Sequence, residues 1–240
     1  MTSQPVRVTH PRLPPRPAGG RGVASTWWGK AWTRSLEEAA YGVEELRGGG
    51  RLARAGAVGA IAVEVGSYVA TVEERHAVHT VTGSVEPLDD VGAELFVEVV
   101  AGASGTVAAL LAGELPLALV EACEEVGVEL VPYAGELGWS CSCDAWVDPC
   151  AHGLAVAVQV GWLAAADPLL LLHLRGLPRE ELLARVHAVT APAGDAEGAG
   201  AEGVGAEVDD DLETGTDAAL RAEAMLAGWT RDDRAGVSDR

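Results

Sequence analysis

Four side chains within twelve residues could share one ion. The stretch Cys141-Ser142-Cys143-Asp144-Ala145-Trp146-Val147-Asp148-Pro149-Cys150-Ala151-His152 sets three thiols and an imidazole in the spacing Cys-x-Cys, six residues, Cys-x-His. Thiolate sulfur and imidazole nitrogen are donors that hold zinc in a tetrahedron. Residues i and i+2 point to the same side only in extended backbone; in a helix they diverge by about 200°. Cys141 and Cys143 therefore belong on an extended segment. Cys150 belongs just before a helix, with His152 in its first turn. Asp144, Asp148 and Pro149 suit the turn that folds the loop back, and Trp146 is placed to cover the site from solvent. Buried free thiols or a disulfide are the competing readings. Four protein ligands would close the coordination shell. That favours a structural Zn2+ over a catalytic one, which keeps a position open for water.

The remaining chain must position that cluster. Residues 1–25 hold Pro5, Pro11, Pro14, Pro15 and Pro17 with a Gly19-Gly20 pair and read as a flexible basic arm. From Ser25 or Thr26, a capping residue, Trp28, Trp32, Leu36 and Val43 recur on one helical face, and Gly48-Gly49-Gly50 reads as the helix end. Over 57–85 the period changes to two. Val58, Ile61, Val63, Val65, Val69, Val72, Val78, Val81 and Val85 are separated by small or polar residues and by Gly66 and Gly83, as in three antiparallel strands. Residues 88–127 return to helical patterning, broken at Leu115-Pro116; Leu130 and Val131 read as a short strand. A nearly all-apolar helix follows the cysteine cluster. Asp167-Pro168 and Leu177-Pro178-Arg179-Glu180-Glu181 are restart signals, with Pro in the first turn and carboxylates where the helix dipole favours them. From 191 the chain becomes an acidic Ala/Gly-rich tail that reads as disordered. Within it, Leu220, Met225, Leu226 and Trp229 could form an amphipathic segment.

Charge narrows the function classes. The net charge is −19, from 17 basic and 36 acidic residues. Residues 1–54 carry +5, 55–190 carry −15 and 191–240 carry −9. Affinity for nucleic acid comes largely from Lys and Arg releasing counterions, so the isolated chain is a poor nucleic-acid binder unless its basic beginning supplies the contact. The opening residues lack the apolar core of a secretory signal. The 18 uncharged residues between Asp148 and Asp167 touch the lower limit for a membrane span. They include Cys150, His152 and Gln159, and read as a buried helix. The expected compartment is cytoplasmic, where thiols stay reduced.

These residues resemble a family. Cys-x-Cys-x(n)-Cys-x-His is the signature of SWIM-type zinc fingers. The chain is most similar to a bacterial group of SWIM proteins encoded with Swi/Snf-type helicases. The resemblance extends to Thr26-Trp27-Trp28-Gly29-Lys30-Ala31-Trp32, Ala53-Arg54-Ala55-Gly56, Leu111-Ala112-Gly113-Glu114-Leu115-Pro116 and Asp167-Pro168…Leu174-Arg175-Gly176, covering about residues 26–187. The group's Pro after the second cysteine is Asp144 here, its Lys before the ligand histidine is Ala151, and its Phe after Asp-Pro is Leu169.

The expectation is an α+β fold. An N-terminal helix, a small antiparallel β-meander and a helical middle occupy 26–138. A SWIM zinc knuckle with C-terminal helices occupies 139–190, and a disordered acidic tail 191–240. One structural zinc on Cys141, Cys143, Cys150 and His152 would serve recognition, as an adaptor for a Swi/Snf-type helicase. The alternative is direct DNA or RNA binding through the basic N-terminal region, with Trp27, Trp28 and Trp32 exposed for stacking. An enzyme is not expected. His76 and His79 lack a nucleophile or carboxylate partner set and read as hairpin residues. Glu73-Glu74 reads as a solvated face, Cys123 as a core residue, and Arg175 as the structural partner of an acidic residue near the finger.

Overall fold

The computed structural model describes residues 7–17 and 26–191. In chain order its elements are β1 (Val8–His10), α1 (Trp27–Ala39), α2 (Val43–Arg54), β2 (Val58–Glu64), β3 (Ser67–Glu74), β4 (Ala77–Val85), α3 (Asp90–Gly102), α4 (Thr106–Leu111), α5 (Leu117–Glu125), β5 (Leu137–Cys141), α6 (Ala151–Ala166), α7 (Pro168–Leu174) and α8 (Arg179–Thr190). The fold is α+β, with eight α-helices and one five-stranded antiparallel sheet among the described residues.

The period-two segment forms the centre of the sheet. Its strand order is β1-β2-β3-β4-β5, every neighbour antiparallel. Tyr68, Ala70 and Val72 of β3 and Val81 and Val85 of β4 are buried, while Thr71, Glu73 and Thr82 between them are exposed. One face is therefore covered and the other open, as an alternating antiparallel sheet allows. The cover includes α6. This helix is apolar on all sides, as a helix enclosed by protein must be. Leu154, Ala155, Val156, Ala157 and Val160 are fully buried. Gln159, also fully buried, donates from Nε2 to the Ala53 carbonyl at 2.8 Å.

Helix α6 also explains where the sequence reading of the first helix fails. The helix breaks at 40–42, before the glycine triplet, and α2 runs straight through Gly48-Gly49-Gly50. Gly48 and Gly49 are packing residues. A Cβ on Gly49 would lie 2.6 Å from Leu154 Cβ and 3.1 Å from the Ala151 carbonyl oxygen, and one on Gly48 would lie 3.2 Å from Ala151 Cβ. Glycine costs a helix interior about 1 kcal/mol relative to Ala, and here it lets two helix backbones approach. Val43 starts α2 and is exposed rather than sharing the Trp28 face. Trp28 and Trp32 are buried. Their indole nitrogens donate to the carbonyls of Ala164 at 2.9 Å and Ala157 at 3.0 Å, and Trp27 donates to Leu115 at 3.0 Å. Trp28 and Trp32 thus pack into the core, as their shared helical face predicts, and Trp27 packs against it; the alternative reading, in which they are exposed for stacking, does not hold.

A second correction concerns the arm. Residues 7–17 are docked, not loose. Thr9 stands opposite Ala62 in the sheet, and Arg12 donates to the Gly56 carbonyl at 2.8 Å and to Glu73 at 3.0 Å. The Arg16 amide donates to the Arg54 carbonyl at 2.8 Å, and its guanidinium lies over the Trp162 ring at 4.5 Å. Main-chain pairing outweighs the proline content here. The rest of the expected arm, and the tail from 192 with its 220–229 segment, lie outside the described residues.

The helical middle is three short helices, and Leu130-Val131 is irregular rather than a strand. Asp167 caps α7 by accepting from the Leu169 amide at 2.9 Å, with Pro168 as the first helical residue. Arg175, 3% exposed, donates to the carbonyls of Glu86 and Glu129 and pairs with the Glu136 carboxylate at 3.0 Å. It fastens the α7–α8 turn to both approaches to the β4–β5 pair. Cys123 is fully buried, and burial, assisted by Glu124, pushes its thiol up to about 11. Among the described residues no helix is long and apolar enough to cross a membrane.

Candidate metal centre

Two elements bring the four donors together. Strand β5 ends at Cys141, opposite Val81 of β4. Hydrogen bonding to β4 continues one residue further: the Ser142 amide donates to the Thr80 carbonyl at 3.0 Å, and the Thr80 amide donates to Ser142 Oγ at 2.9 Å. With Ser142 pinned to β4, its neighbours Cys141 and Cys143 turn toward the same point. The other pair sits on α6. Cys150 is the N-cap, its sulfur accepting from the Gly153 amide at 3.4 Å, and His152 lies in the first turn. The positive end of the helix favours a thiolate there.

The distances suit one ion. Cys143 Sγ and Cys150 Sγ are 3.6 Å apart, and His152 Nδ1 is 3.9 Å from Cys141 Sγ and 4.0 Å from Cys150 Sγ. All four donor atoms lie within 4.8 Å of one another. A tetrahedron with metal–sulfur bonds of about 2.3 Å and metal–nitrogen bonds of about 2.0 Å has edges of about 3.5–3.8 Å. A disulfide would need about 2.05 Å, and all four cysteines of the chain are free. Cys141, Cys143, Cys150 and His152 could therefore hold one metal ion. Burial pushes the Cys141 thiol up to about 12 and raises that of Cys150. At Cys143 burial also pushes upward, but the Ala145 amide and the neighbouring thiols outweigh it, and the pKa falls. Buried thiolates without compensation are costly, and a dication at their centre removes that cost.

The imidazole has a second partner absent from the motif. His152 presents Nδ1 to the thiols, while its Nε2 lies 3.1 Å from Glu74 Oε2 at the end of β3. His79 of β4 stacks on the same ring, with centroids 4.3 Å apart and planes 29° from parallel. The sequence reading assigned Glu74 to a solvated face and His79 to an exposed hairpin. The signal that finds them is period two carried one step further: Val72 to Glu74 and Val81 to His79 stay on the covered face of the sheet. Polar residues at the end of a buried row call for a partner.

Trp146 departs from expectation in the opposite sense. It does not cover the donors. Its side chain is 83% exposed and meets the edge of Tyr41, itself 64% exposed, at a centroid distance of 5.2 Å.

No family model matches the sequence, and no solved structure matches it. Among curated proteins it is similar to the uncharacterized protein Rv2102 of Mycobacterium tuberculosis (strain ATCC 25618 / H37Rv). The two are 30% identical over 195 residues, which cover 75% of this chain and 70% of the relative.

Proposed function

The chain belongs to the family of that mycobacterial protein, whose name states no activity, and from the chain's own site we propose a SWIM-type zinc-binding module that serves recognition rather than catalysis. The convergence of three sulfurs and one imidazole nitrogen carries the reading. Three thiolates and a histidine are a zinc set by donor softness and geometry. A Cys-x-Cys at the end of a strand followed by a helix-capping Cys-x-His fits the SWIM order. When bound, the metal supplies a fixed charge and a crosslink between β5 and α6. The residues fill a four-coordinate shell themselves, which supports a structural role.

We propose a protein partner, a Swi/Snf-type helicase, met in the cytoplasm. The acidic body of the molecule and the exposed Tyr41–Trp146 pair beside the knuckle support protein contact. Exposed aromatic pairs of this kind are common anchors at interfaces. Direct nucleic-acid binding has less support, because Trp27, Trp28 and Trp32 pack inward and Arg12 and Arg16 are engaged within the fold.

Two measurements on one preparation test this. Elemental analysis of the purified full chain is expected to find one zinc per chain, lost in Cys141→Ser and His152→Ala. Affinity capture, with and without nuclease, is expected to recover a helicase that survives nuclease and is lost with Trp146→Ala. A metal-free protein refutes the zinc reading. Capture that depends wholly on nucleic acid refutes the adaptor reading.

A further inference from the structure

We infer that Glu74 is a positioning residue of the metal centre, fixing the tautomer and the plane of His152 from the covered face of the sheet; this rests on the metal-binding reading above. His152 is buried, with only one nitrogen facing the thiols. For Nδ1 to offer a lone pair there, the ring proton must sit on Nε2. The Glu74 carboxylate is placed to accept that proton's hydrogen bond, at 3.1 Å. His79, stacked on the ring face, limits rotation about the remaining axis. Carboxylates that hold the outer nitrogen of a ligating histidine raise its basicity and fix its aim, and their loss costs about 10–100-fold in metal affinity.

The adjacent residue is an internal control. Glu73 precedes Glu74 on the same strand, faces the other side of the sheet and pairs with Arg12 at 3.0 Å. Removing either carboxylate deletes one polar side-chain contact from β3, but only Glu74 reaches His152.

The test is competition for Zn2+ and Co2+ against a chromophoric chelator, using the full chain. Glu74→Ala is expected to weaken binding about 10–100-fold. Glu74→Gln keeps an acceptor without the charge and should lose less. Glu73→Ala should bind as the unaltered chain does. At full loading, the visible cobalt bands of Glu74→Ala are expected to shift, reporting a reoriented imidazole, which a loss of stability alone would not produce. Stoichiometric, tight binding by the unaltered chain, with both Glu74 variants within about threefold of it and unshifted cobalt bands, would overturn this inference and leave the metal centre standing. Equal losses in Glu73→Ala and Glu74→Ala would also overturn it. Failure of the unaltered chain to bind either metal would overturn both.

Discussion

The crossing of α2 and α6 offers a test in which one substitution has opposite effects at neighbouring positions. In Gly49→Ala the added methyl would meet Leu154 Cβ at 2.6 Å, with the Ala151 carbonyl oxygen and the Ala155 amide nitrogen each at 3.1 Å. Relaxed carbon contacts lie at about 3.5–4.0 Å, so α2 must withdraw by roughly an ångström. None of the opposing atoms is the tip of a flexible side chain. Overpacking of this kind costs about 1–3 kcal/mol, against a gain of up to about 1 kcal/mol from helix propensity. In Gly50→Ala the nearest atom is the Arg54 guanidinium at 3.3 Å, which can swing aside, so the propensity gain survives. The gain is common to both variants, and the difference between them isolates the clash at about 1–3 kcal/mol. Urea unfolding of both variants measures that difference directly. In thermal melting it corresponds to Gly49→Ala falling below Gly50→Ala by at least about 2–4 °C. A difference under about 0.5 kcal/mol would refute the close-packing account of the triplet.

Two further outcomes follow from buried polar groups. Arg175→Met leaves the Glu136 carboxylate, 12% exposed, without its cation and two carbonyls without a donor. A broken buried pair costs about 3–5 kcal/mol, and adding Glu136→Gln should restore part of it; a loss below about 1 kcal/mol in unfolding experiments contradicts the assignment. Burial lowers the pKa of His10, with Asp167 acting in the opposite direction. The unfolded chain therefore takes up the proton first, and His10 contributes stability above its ordinary value of 6.5 that is lost as pH falls through the depressed folded value. Stability should fall more between pH 7.5 and 5.5 in the unaltered chain than in His10→Gln, and equal falls would exclude the effect.

The metal cluster was legible because local chemistry and chain geometry gave the same answer. A strand carrying Cys141 and a helix start between Cys150 and His152 follow from spacing alone, and the structure has both, although β5 stops at Cys141 and Cys143 lies in the bend beyond it. The Asp167-Pro168 restart was legible for the same reason. The failures share a different cause: the deciding partner lies far away in sequence. Gly48-Gly49-Gly50 looks like a terminator until α6, a hundred residues later, is laid against it. Arg12 and Arg16 look like arm residues until Glu73 and Trp162 receive them. Glu74 is an ordinary surface glutamate by composition, and becomes a partner of His152 only through the register of the sheet.

That register also dictates an order of events during synthesis. Strands β2, β3 and β4 follow one another along the chain and can zip locally. Strand β5, by contrast, joins β4 only after three intervening helices have emerged. Glu74 and His79 therefore leave the ribosome long before the thiols arrive. Until α6 follows, Val72 and Val81 have no helix to cover them. Such distant closures slow folding and leave apolar strands uncovered on nascent chains. Capture of an ion could complete the centre only once His152 has emerged, by which point all five strands and the five helices before α6 have been synthesised.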